Sequence, residues 1–200
     1  MMLVELTTVP GAVLPVADFK NHLRLGTGFS DDGLQDVVLE SYLRAAMAAI
    51  EARTGKILIT RSFTWSLTAW RDLASQALPV APVSAITGLT ITDRLGVDDV
   101  IDPARYLLEQ DMHRPRLVSV SVCLPAIPVA GAAVIAFDAG FGAAWADIPP
   151  DLAQAVFLLA ASYYENRSDA SPGGASMPGG VASLIQRYRT VRLFGGGAAL

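Results

Sequence analysis

Ser62-Phe63-Thr64-Trp65-Ser66-Leu67-Thr68-Ala69 alternates hydroxyl and apolar side chains without a break. A period of two puts Phe63, Trp65, Leu67 and Ala69 on one face and the hydroxyls on the other, as in a half-buried strand. Further strands are predicted at Leu89 to Thr92, Tyr106 to Glu109, Leu117 to Val122 and Ala133 to Phe137. In the third of these, Val118, Val120 and Val122 alternate with Ser119 and Ser121, which implies one wet face. Short strands separated by turns, with no helix between them, predict an antiparallel meander. Pro79, Pro82, Pro125 and Pro128 punctuate its edges, since proline cannot donate to a ladder.

On both sides of this region the period becomes helical. Pro15 sits where a first turn tolerates a missing N–H, and Ala17 to Leu25 follows with Phe19 and Leu23 on one face. Beyond Gly26-Thr27-Gly28, Asp31 and Asp32 set carboxylates at the start of a long helix, from about Asp32 to Thr54, stopped by Gly55. Leu39, Leu43, Ala46 and Ile50 make its apolar stripe, widened by Leu34, Val38 and Ala45, while Glu40 and Arg44 pair on the polar face. After the sheet, Pro149 and Asp151 open a helix whose stripe is Leu152, Val156, Leu159 and Tyr163, continuing to Arg167. Ser168 to Gly180 reads as a mobile linker, Val181 to Tyr188 as a short helix and the remainder as a tail. The fold class predicted is α+β, a single domain over residues 1–200. Its helical core comes from both chain ends (about 14–56 and 148–189), with a β insertion at about 60–140 and a tail at 190–200.

The formal net charge of −4 argues against a protein that grips nucleic acid through a basic face. Charged residues are 17% of the chain, against about 25% in an average soluble domain. Hydrophobic residues are 52%, so apolar surface is left over for copies of the chain or for a partner. Cys123 is the only cysteine, which rules out an internal disulfide and fits a reducing compartment. Met1 to Pro10 lacks a basic start and is interrupted by Glu5, unlike a signal peptide. Val118 to Ala136 is broken by Pro125 and Pro128, unlike a membrane span of about 20 apolar residues. A soluble cytoplasmic chain with no membrane contact is expected.

Catalytic chemistry finds little to build on. His22 falls in a short helix and His113 in a turn, both simplest as structural or surface residues. Cys123, flanked by Val122 and Leu124, reads as a buried small hydrophobe; a hydrolase using it with His22 or His113 would need a triad signature that is missing. Asp31-Asp32 is explained by helix capping and Asp98-Asp99 by a polar turn after Gly96. The glycines match neither a dinucleotide fingerprint nor a P-loop, and no His or Cys spacing suits zinc. No catalytic, cofactor or metal site is expected. After Asp169 no acidic residue follows, which leaves Arg187, Arg189 and Arg192 locally unopposed beside Leu193 and Phe194. These five are either a solvated helix end or anchors of a docking tail.

A set of short phrases recurs in order along the chain. They are Val16 to Leu25, Glu51-Ala52-Arg53-Thr54-Gly55-Lys56, Leu78-Pro79 with Pro82-Val83, and Phe137-Asp138-Ala139-Gly140-Phe141-Gly142. Ile148-Pro149, Tyr164-Glu165-Asn166-Arg167, Pro178 and Tyr188-Arg189 complete the series. In this order and spacing the chain resembles the head–tail connector (adaptor) proteins of long-tailed phages and gene transfer agents. The match runs from about Leu14 to Arg189, and Ala69 to Pro125 and the tail depart from it. The resemblance implies a structural protein of the particle neck, assembled in the bacterial cytoplasm, without cofactor or turnover. It implies a cyclic ring on the order of twelve copies that joins the portal protein to a tail or stopper protein. DNA would pass through without specific binding, and the five C-terminal residues would dock on the portal. A tail-completion or neck protein at another level of the channel is the nearest alternative.

Overall fold

The alternation beginning at Ser62 is realised as β2 (Arg61–Leu67), with Phe63, Trp65 and Leu67 buried and the hydroxyl residues half-covered. Ala69 lies beyond the strand and is exposed. These coordinates are a computed structural model in which residues 2–25, 35–166 and 177–189 are described. Asp31, Asp32, Leu34, Arg167, most of the linker and the tail from Thr190 lie outside the described residues.

All strand pairs are antiparallel; some join neighbours in sequence and others join strands far apart. β2 pairs on one side with β1 (Met2–Glu5) and on the other with β8 (Ala132–Ala139). β8 continues to β4 (Val83–Thr92) and β4 to β5 (Asp98–Val100), a five-stranded sheet in the order β1-β2-β8-β4-β5. A second sheet has the order β3 (Ser75–Ala77), β7 (Arg116–Ser119), β6 (Tyr106–Glu109). Leu117 and Tyr106 from the small sheet share one apolar cluster with Trp65, Leu89, Ile135 and Phe137 from the large one. Phe63 stacks on its cross-strand partner Phe137 at 5.7 Å.

Three expectations for the sheet need correction. β7 ends at Ser119, and Val120 and Val122 are exposed. The serines instead fold a turn on themselves: Ser119 Oγ donates to the Cys123 carbonyl at 2.7 Å and accepts from the Ser121 N–H at 3.1 Å. Hydroxyls that bond locally compete with ladder formation, and here the turn wins. Cys123 is therefore exposed, not a buried hydrophobe. Asp98 and Asp99 lie in β5 itself, with Asp98 Oδ1 accepting from Thr92 Oγ1 at 2.6 Å; the turn before them is closed by Asp93, whose Oδ1 accepts from the Leu95 and Val97 N–H groups.

The helices form the second cluster. α2 (Asp36–Thr54) buries Leu39, Leu43, Ala46, Met47 and Ile50, while Val38 and Ala45 are exposed, so its stripe is narrower than the sequence suggests. It ends at Gly55, left-handed at φ 68°, whose N–H reaches the Glu51 carbonyl at 2.8 Å. α1 (Val16–His22) begins just after Pro15 and buries Phe19, which stacks on Phe157 of α3 at 5.8 Å. α3 (Pro150–Glu165) buries Leu152, Val156 and Leu159, leaving Tyr163 half-buried. α4 (Gly179–Ile185) and the short turn after it add Val181, Ile185 and Tyr188. Helical residues from both sides of the sheet region thus share one core, and every strand except β1, which precedes α1, lies between them in sequence.

Residues 55–60 join the two clusters. The Ile57 N–H bonds the Ala81 carbonyl, the Ala81 N–H bonds the Gly55 carbonyl, and the Thr60 N–H bonds the Gly142 carbonyl. Gly140 makes this approach possible. It sits at φ +145°, and a Cβ there would meet the Thr60 backbone at 2.4 Å. The Phe137-to-Gly142 phrase therefore has a physical origin: a strand end pressed against the helix-to-sheet crossing.

Candidate partner-binding interface

Four places on the molecule bear on partners: the C-terminal helix, the crossing between helices and sheets, and the two edges of the large sheet.

At the C-terminal helix, Asp151 in the first turn of α3 receives two groups at once. Tyr188 Oη donates to Asp151 Oδ1 at 2.8 Å, and Arg187 Nε pairs with Asp151 Oδ2 at 2.9 Å. The Arg187 guanidinium also lies over the Tyr188 ring, 4.7 Å from its centroid. Burial pushes the Tyr188 phenol above its ordinary value, so it stays a donor at neutral pH. Arg187 is thus engaged within the chain, holding the end of α4 against the start of α3. Arg189 is exposed and follows directly. Arg192, Leu193 and Phe194, the other residues expected at a docking tail, lie outside the described residues.

At the crossing, the phrase Glu51-x-x-Thr54-Gly55-Lys56 proves to be a joint. Glu51 accepts from Arg61 Nη2 at 2.5 Å and from the Leu58 N–H at 2.9 Å, and Arg61 Nη1 reaches Glu5 of β1 at 2.9 Å. One guanidinium thereby ties the end of α2, the start of β2 and the edge strand β1 together. Burial raises the Glu51 carboxyl above the usual carboxylate value despite the pull of Arg61. Burial opposes the Arg61 charge as well, but Glu51 and Glu5 outweigh it and keep the guanidinium protonated. Thr54 Oγ1 bridges the Ile50 carbonyl and the Lys56 N–H at 2.8 and 3.1 Å. Lys56 is fully buried, and its Nζ has no hydrogen-bond partner. Burial lowers its pKa, with the nearby Asp111 charge acting against that shift.

The sheet edges went unread in the sequence. β1 is exposed along its whole length although Met2, Leu3 and Val4 are apolar. At the opposite edge, Leu95, Val97 and Val100 of the β4–β5 hairpin are 77%, 63% and 74% exposed. Beside that hairpin lies a groove of about 350 Å³, floored by Ile91, Ile101, Pro125 and Pro128 and flanked by Asp99 and Arg105. The apolar run Met2-Leu3-Val4 was the available signal for β1; for the hairpin it was an apolar Leu95, Val97 and Val100 within a polar turn.

The candidate catalytic residues are spread over different parts of the fold. His22 is packed in an aromatic group with Phe19 and Phe157, and His113 follows Asp111 in the exposed turn between β6 and β7. Cys123 closes the serine turn after β7. Among the described residues no group of His, Cys, Asp or Glu could hold a metal ion, and no helix is long and apolar enough to cross a membrane.

No protein-family model matches the chain, and neither does any curated protein. Solved structures do. A chain from the neck of an empty gene transfer agent (GTA) particle, computed with C6 symmetry, is 56% identical with a TM-score of 0.89, covering 98% of this chain and 99% of that one. The chain belongs to the GTA neck proteins. The same coverage holds for a chain of the native GTA virion, at 56% identity and a TM-score of 0.87. A chain from a native GTA neck computed with C12 symmetry follows at 52% and 0.84. These neck proteins are components of particles, and the match covers almost the whole chain.

Proposed function

We propose that this neck protein is the head–tail adaptor of a phage-like particle, forming a closed ring on the order of twelve copies that joins the portal to the tail. The observation that carries the reading is 56% identity over 98% of the chain to a component of a particle neck. Necks computed with C6 and C12 symmetry support a cyclic arrangement. In this role the chain works as one domain without turnover or cofactor. Cys123, His22 and His113 lie in separate environments and form no triad with one another.

The ring's other contacts are a portal protein on the head side and a tail or stopper protein on the tail side. Arg189, Arg192, Leu193 and Phe194 supply cations and apolar anchors for the portal, while Arg187 closes the helix from which they extend. An acidic ring repels duplex DNA and lets it slide, so passage requires no base reading. The test is an image of the neck of particles made with this chain. A ring of its copies between portal and tail is expected; one copy, or a two-fold dimer, refutes the reading.

A further inference from the structure

We propose that the copies join through the two edges of the five-stranded sheet, strand β1 of one copy seating in the groove beside the β4–β5 hairpin of the next. This inference rests on the ring reading and specifies its contact. A cyclic ring is built from heterologous contacts, which need two different complementary surfaces on opposite sides of the subunit. The strand order supplies that geometry. β1 and β5 are the two ends of the order β1-β2-β8-β4-β5, four strand spacings or about 19 Å apart.

The two edges are also chemically matched. Scattered apolar residues on a surface are ordinary, and some lie elsewhere, as at Val38 and Val122, but both edges of this sheet carry a group of them. β1 brings Met2 and Val4 on the face shared with Ser66 and Thr64, and Leu3 on the face of Trp65. Its outer rim presents backbone N–H and C=O groups that no strand among the described residues uses, the usual template for pairing with another chain. The opposite edge exposes Leu95, Val97 and Val100, of which Val97 lines the groove above its apolar floor, beside the carboxylates of β5.

Charge permits the fit. The groove is lined by Asp93 and Asp99 together with Arg105, and the only charged residue of β1, Glu5, is held by Arg61 and so does not confront those carboxylates unpaired. The same ion pair keeps β1 in place on the sheet before any partner arrives. A preordered strand loses less freedom on docking than a loose one. Two copies facing each other through β1 alone would close a dimer and leave the groove empty, which a ring does not allow.

The test uses the full chain with Cys123→Ser, carrying Val4→Cys, Val97→Cys or both, assembled into particles and treated with a short bismaleimide. Within one chain the two positions lie on opposite sheet edges, too far apart for such a reagent. The double variant is expected to give a ladder of covalent multimers on a denaturing gel, and each single variant only monomer. Melting curves of the three purified chains close to that of the parent establish that the exposed substitutions leave the fold intact. A double variant that stays monomeric in particles whose necks image with the ring overturns the edge contact and leaves the ring reading standing. Dimers from Val4→Cys alone, or adducts to a different protein, overturn it too. Necks without any ring of this chain remove the ring reading itself.

Discussion

Glu51→Ala should be the most damaging polar substitution in the molecule. Its carboxylate accepts twice from Arg61 and once from the Leu58 N–H, and the side chains of Arg61 and Glu51 are only 9% and 12% exposed. Alanine leaves a buried guanidinium with Glu5 as its only carboxylate partner, beside the Ile59 carbonyl, and an amide with none. Removing one side of a buried pair costs about 3–5 kcal/mol. Glu5 still compensates part of the charge, which places the loss near the lower end, about 3 kcal/mol. For a chain of this size each kcal/mol lowers the melting temperature by about 2–4 °C, so a fall of about 6–12 °C is expected. Glu5→Gln is the internal control: that carboxylate is 38% exposed, and such pairs contribute under about 1 kcal/mol. Replacing both buried charges, in Glu51→Leu with Arg61→Met, should recover most of the loss, because no uncompensated charge remains. Thermal melts followed by near-UV circular dichroism measure all three. Equal, small shifts for Glu51→Ala and Glu5→Gln, or a double variant as unstable as the single one, would refute the joint.

Lys56→Met should stabilise the fold at neutral pH by about 1–2 kcal/mol and so raise the melting temperature, since it removes a fully buried ammonium without a hydrogen-bond partner. The folded-state pKa of Lys56 lies below the ordinary 10.5, so its penalty is full at pH below that depressed value and fades as pH rises toward 10.5; the advantage of Lys56→Met should shrink over that window in melts at stepped pH. Gly140→Ala should cost about 2–4 kcal/mol, because a Cβ at φ +145° meets the Thr60 backbone at 2.4 Å; an unchanged melting curve counts against the close approach. Deleting Thr190 to Leu200 should keep the melting temperature, since no helical stripe in the sequence runs into this Gly-rich segment, yet yield filled heads without tails; fully tailed particles in electron micrographs would exclude portal docking by this segment. The purified chain should show only weak, salt-sensitive duplex binding by anisotropy, and tight saturable binding would contradict an acidic sliding channel.

Local chemistry decided much of this protein before any long-range contact formed. Period two at β2, period 3.6 at α2 and α3, and Gly55 as a left-handed stop follow from side-chain alternation and backbone freedom, and each stands close to where the sequence puts it. The same logic misjudged Ser119 to Cys123, where hydroxyls could satisfy either a ladder or a turn and only the packing around Leu117 and Leu124 chose. The family phrases were legible as patterns, but not their cause. Glu51 meets Arg61 and Glu5, and Gly140 meets Thr60, only after the chain has closed on itself. Strand order belongs wholly to the tertiary structure. β2 chooses β1 and β8, far away in sequence, because burying Phe63 and Trp65 against Phe137 and Ile135 outweighs the entropy of closing the loop between them. That choice, not any residue motif, places the exposed apolar β1 and the β4–β5 hairpin at opposite edges of the large sheet.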